Sequence, residues 1–204
     1  MSAMFEELKS DTVEYNKALD KISYLRPLLD SLIINVKNAK DFNYILFGKW
    51  NTPIAETGVP YLPKLPTIQQ LKSSGNLRLI GNKAILKKIL EYDSYIQGEM
   101  RSETENVSAA AERIFAFEDK MCDETEFNHQ TDENMQAKAA QYNMENGSVY
   151  NMSLLVKDSI ILNEFANSFI NYKSRNWGYY TRLNTAKQMA TGLINLVKEE
   201  HHFN

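Results

Sequence analysis

The sequence predicts an all-α fold, an elongated antiparallel bundle of three long helices with one or two short ones, in a single domain over residues 1–204. Two observations carry that expectation. Apolar residues recur at helical spacing through three long segments, and the stretches between them are too rich in proline, glycine or polar residues to continue a helix. Every long periodic segment has the helix period, so no sheet is expected.

The first helix is expected over roughly residues 4–46. Leu8, Tyr15, Ile22, Leu29 and Val36 recur every seven positions, and Ala18, Leu25, Leu32, Ala39 and Leu46 form a second row three residues on. Pro27 interrupts the donors but not the register, which reads as a kinked helix rather than two helices. A connection over 47–66 follows, with four of the five prolines between Gly48 and Pro66. Thr67 and Gln70 form a capping box for a short helix that Gly75 can end in the left-handed conformation, and Asn76–Gly81 reads as a turn or short extended link.

Asn82 is the expected N-cap of the second long helix, 82–121, whose apolar face is Ile85, Ile89, Tyr92, Ile96, Met100, Val107, Ala110, Ile114, Phe117 and Met121. A polar connector, 122–152, leads to the third helix, about 153–200. One of its rows is Leu155, Leu162, Phe169, Leu183, Ala190 and Val197, broken by Asn176. The other is Phe165, Tyr172, Tyr179, Ala186 and Leu193, while Lys173 and Lys187 are expected to be exposed.

Composition narrows the function classes. A net charge of -3 with mixed signs gives no field for nucleic acid. The single cysteine, Cys122, excludes an intrachain disulfide, and the first ten residues lack a secretion signal. The most apolar segment, Leu154–Phe169, is broken by Lys157, Asp158 and Glu164, so it does not read as a membrane span.

Thr67–Ile96, TIQQLKSSGNLRLIGNKAILKKILEYDSYI, resembles a family of bacterial proteins with a single N-terminal transmembrane anchor and a helical soluble domain, in which a similar LKSSGNLRLI segment precedes a helix. The LDSLI stretch, Leu29–Ile33, is similar too. No activity is established for that family. The resemblance therefore implies an architecture and a tethered setting, with the chain as the extracytoplasmic part of an anchored protein on the periplasmic side of a bacterial inner membrane. Without it the expectation is cytoplasmic.

No catalytic residue, cofactor site or metal site is expected. Ser73 and Ser74 have no neighbouring base, and Lys72 alone is not a phosphate loop. Two Glu-x-x-His pairs, Glu126 with His129 and Glu199 with His202, match half of a di-iron pattern, but one lies in the polar connector and the other at the chain end. Cys122 with His129 lacks a setting that would lower the thiol pKa. The eight glycines form no dinucleotide loop.

A partner or ligand surface is expected at Lys173, Trp177, Tyr180 and Arg182 on the third helix, with Trp50 and Tyr61 in the proline-rich connection. Tyr172 and Tyr179 face the seam instead. Trp, Tyr and Arg are the residues from which interaction hot spots are built. The expected function is non-catalytic protein interaction or scaffolding, including self-association. The alternatives are a ligand-sensing bundle and an enzyme whose site would show as a buried, convergent polar cluster.

Overall fold

The computed structural model describes residues 2–38, 54, 59–121 and 158–201, and among them there is no strand. The fold is all-α. Its elements are α1 (Ser2–Asn38), α2 (Pro66–Ser73), a 3-10 turn (Asn76–Leu79), α3 (Lys83–Tyr95), a π-helical turn (Ile96–Met100), α4 (Arg101–Met121) and α5 (Ser159–His201). Helix α1 continues through Pro27, which is exposed, so the Ser23 carbonyl that loses its amide partner lies on the water side. The second long segment is helical throughout, with the π-helical turn joining α3 to α4. The expected ends at 39–46 and 153–157, and the connector 122–152, lie outside the described residues.

The chain forms two compact units, one from the described residues within 1–23, 59–108 and 175–204, the other from those within 24–58 and 109–174. Each long helical segment contributes to both. In the first unit Asn82 bonds Glu200, Tyr95 and Glu99 both reach Arg182, and a side chain at Gly178 would lie 2.8 Å from the Glu103 carboxylate. Rising numbers on one segment meet falling numbers on the other, so α5 runs antiparallel to α3 and the start of α4. Likewise Phe5 of α1 lies under Lys198, whereas Tyr15 stacks edge-on against Tyr61, whose carbonyl is held by Tyr179. Helix α5 is therefore antiparallel to α1 as well.

The apolar rows supply most of the core, with Ala18, Phe117 and Leu162 only half-buried among their described members. Leu8, Tyr15, Ile22, Leu29 and Val36 are buried, as are Ile85, Ile89, Tyr92, Ile96, Met100, Val107 and Ile114 on the second segment. On α5 the buried residues are Phe165, Phe169, Tyr172, Tyr179, Leu183, Ala186, Ala190, Leu193 and Val197, with Asn176 among them. In the second unit Phe165 lies 4.7 Å from Phe169 and 6.0 Å from Phe117, between ring centroids, and the Tyr172 hydroxyl donates to the Ile54 carbonyl. Lys173 and Lys187 are half-buried rather than exposed, and Lys173 is drawn in by an ion pair with Asp30.

Two expectations about caps divide. Asn82 caps α3, its side-chain oxygen accepting from the amides of Ala84 at 2.9 Å and Ile85 at 3.3 Å. Gly75 takes the left-handed conformation, φ 71°, just past α2. The capping box at Thr67 and Gln70 does not form. The residue before α2 is Leu65, itself left-handed at φ 51°, and the Thr67 amide and hydroxyl both donate to Glu7 of α1. A distant carboxylate replaces the local cap. Asn76–Leu79, expected as a turn or link, winds into the 3-10 turn.

Candidate functional site

The polar centre of the first unit grows from three places where a polar residue occupies an apolar row. Asp11 lies three residues after Leu8 and four before Tyr15. Asp93 lies four after Ile89 and three before Ile96, and Thr104 sits between Met100 and Val107. Helical spacing turns each toward the core, where a polar group must find a partner.

Asp11 finds two. The Tyr61 hydroxyl donates to its Oδ1 at 2.6 Å, and the Tyr92 hydroxyl lies 3.4 Å from its Oδ2. The Tyr15 and Tyr92 hydroxyls are 2.8 Å apart. With Tyr92 turned to the carboxylate, Tyr15 supplies the proton between them, and the Tyr179 hydroxyl donates to the Tyr61 carbonyl at 2.7 Å. Every phenolic proton is thereby used within the cluster.

Desolvation raises the pKa of all five groups. For Asp11 burial outweighs the opposing hydrogen bonds from Tyr61 and Tyr92, with a further push from Glu7. For Tyr15, Tyr61, Tyr92 and Tyr179 burial is again the largest cause and moves the phenols far above their ordinary value. None of these tyrosines is a phenolate at neutral pH, so none is poised as a base or nucleophile.

Since folding favours protonated Asp11, its stabilising contribution is present below the ordinary carboxylate range and is lost as pH rises through the raised value. Asp11→Asn keeps a carbonyl acceptor without the charge. It is expected to be more stable than the wild type at neutral pH, with the gap closing on acidification, in urea unfolding at the two pH values. A gap that widens toward acid would contradict the burial argument.

Asp93 is 4% exposed and is satisfied by Gln69 at 2.9 Å and Lys72 at 2.5 Å, which fastens α2 to α3. Thr104 returns its hydroxyl to the Arg101 carbonyl. Above Asp11 a groove of about 570 Å3 runs between α1 and residues 59–66, lined by Glu7, Asp11, Glu14, Tyr61 and Lys64.

The residues expected at a partner surface divide differently. Trp177 is 50% exposed, and its ring stacks on Tyr180 at 5.3 Å and 6°. Arg182 pairs with Glu99 at 2.6 Å, Lys173 with Asp30, and Tyr61 belongs to the Asp11 cluster. Of the set, the structure brings together Trp177 and Tyr180. Trp50, Cys122, Glu126, His129 and His202 lie outside the described residues, and Glu199 is exposed on α5. Among the described residues no group of three His, Cys, Asp or Glu side chains could hold a metal ion.

Fold and site define an all-α helical bundle in which Asp11 and four tyrosines form one hydrogen-bonded cluster. Compared with protein-family models, with curated proteins and with solved structures, the chain finds no match. Among the described residues no helix is long and apolar enough to cross a membrane.

Proposed function

We propose that this chain is a non-catalytic helical domain that binds a protein partner through the part of α5 carrying Trp177 and Tyr180. The observation that carries the reading is the half-exposed Trp177, stacked flat on Tyr180. A large ring held against its neighbour presents apolar area with little conformational entropy left to lose, which is the property of an interface anchor. The use of every phenolic proton within the Asp11 cluster supports the non-catalytic reading, because no phenol there is left to donate to a substrate. The setting that goes with this reading is a tethered one on the periplasmic side of the inner membrane, as the resemblance read from the sequence of Thr67–Ile96 implies.

A photo-crosslinking residue at position 180, introduced into the chain in its own cells, is expected to capture one protein repeatedly, and Trp177→Ala to weaken that complex by more than about tenfold. The variant should retain the wild-type helical spectrum and cooperative unfolding, since it removes an exposed ring. Equal binding by Trp177→Ala and wild type would remove this surface from the function.

A further inference from the structure

The outer side of α3 and the π-helical turn after it form a shallow groove in the first unit, with Leu86, Leu90, Tyr95 and Gly98 along it and Met189 of α5 at its edge. Leu90 is 44% exposed, and a side chain at Gly98 would meet nothing within 4 Å, so the centre of this face is apolar and its far end is open. The charges on it are ordered. Lys83 and Lys87 occupy the N-terminal part, and Glu91 and Glu99 the C-terminal part, where Glu99 is already paired with Arg182.

The lysines at the start of α3 work against the helix itself. A helix dipole favours acids in the first turn, and α3 has none there. The pairs that Glu91 makes with Lys87 and Lys88 are exposed contacts one turn apart and are readily exchanged. The same order becomes favourable when the face meets itself reversed. We infer that this face is the interface of a two-fold symmetric dimer in which α3 lies antiparallel against α3 of a second copy.

A two-fold contact requires a self-complementary patch, and this one supplies it. With the axis level with Ile89, Lys87 of each copy stands opposite Glu91 of the other. Lys83 stands opposite Tyr95, one helical turn from both Glu91 and Glu99, and Leu90 packs beside the axis. The patch is small beside the roughly 800 Å2 per partner of standard interfaces, so the expected dimer is weak. Trp177 is not part of it.

The test uses the whole chain in two charge variants. The first, Lys83→Glu with Lys87→Glu, makes the face acidic, and the second, Glu91→Lys, makes it basic while leaving the Glu99–Arg182 pair intact. Sedimentation equilibrium up to about 1 mM should show the wild type dimerising, with weaker association at high salt. Each variant alone should associate more than about tenfold less tightly, because like charges then face each other. Mixed in equal amounts, the two should dimerise again, since both sets of opposite charges are restored. Circular dichroism of each variant, expected unchanged, separates lost association from lost fold. A wild type that stays monomeric at the highest concentration, or variants that fail to dimerise on mixing, would overturn the inference. Association of Trp177→Ala at wild-type strength is expected and keeps this interface distinct from the partner surface.

Discussion

Phe169→Ala lowers the unfolding free energy by about 3 to 5 kcal/mol, the range for truncating a large aromatic in a packed core. Phe169 is fully buried on α5, with its ring 4.7 Å from that of Phe165, which in turn contacts Phe117 of α4. The loss combines the transfer energy of the ring with the cavity left between neighbours that relax only in part. Lys187→Ala on the same helix is the control. That side chain is half-buried, and its loss costs less than roughly 0.5 kcal/mol. Urea unfolding of the two variants measures the contrast. Equal costs would mean that α5 presents another face to the core.

Raising the pH above about 10 destabilises the fold by about 4 kcal/mol per pH unit, through Tyr15, Tyr92 and Tyr179. All three are buried, with pKa values far above the ordinary phenol range because their surroundings do not solvate a phenolate. Their contribution is complete below the unfolded-state value near 10 and is lost as pH rises, because the unfolded chain releases protons that the folded chain retains. Each such group adds about 1.4 kcal/mol per pH unit. A domain stable by about 5 to 15 kcal/mol cannot withstand more than a few units of that slope. Tyrosinate absorbance and far-ultraviolet circular dichroism followed together should therefore show these tyrosines ionising in one step with the loss of helix. Smooth ionisation of every tyrosine near pH 10 with the helix intact would show that the cluster is open to water.

The apolar rows made the helices legible. Leu8, Tyr15, Ile22, Leu29 and Val36 are all buried as their spacing requires, and so are Phe165, Phe169, Tyr172, Tyr179 and Leu183. The polar cluster was legible only in part. Asp11, Asp93 and Thr104 each stand where helical spacing demands an apolar residue, a signal for a buried polar group. Their partners carry no such mark, because Tyr61 reaches Asp11 across 50 positions and Tyr15 reaches Tyr92 across 77. Lys173 read as exposed for the same reason, since Asp30 lies 143 positions away.

The sequence by itself determined the helix period, the buried rows, the Asn82 cap and the left-handed turn at Gly75, all of which depend on residues within a turn or two of one another. Only the tertiary structure decided which groups satisfy one another across the chain. Glu7, not the adjacent Gln70, serves the start of α2, and the Asp11 carboxylate gathers Tyr61 and Tyr92. The physical reason is that burial compels a polar group to find a partner without specifying which. That choice depends on the packing of helices whose local sequences are indifferent to it.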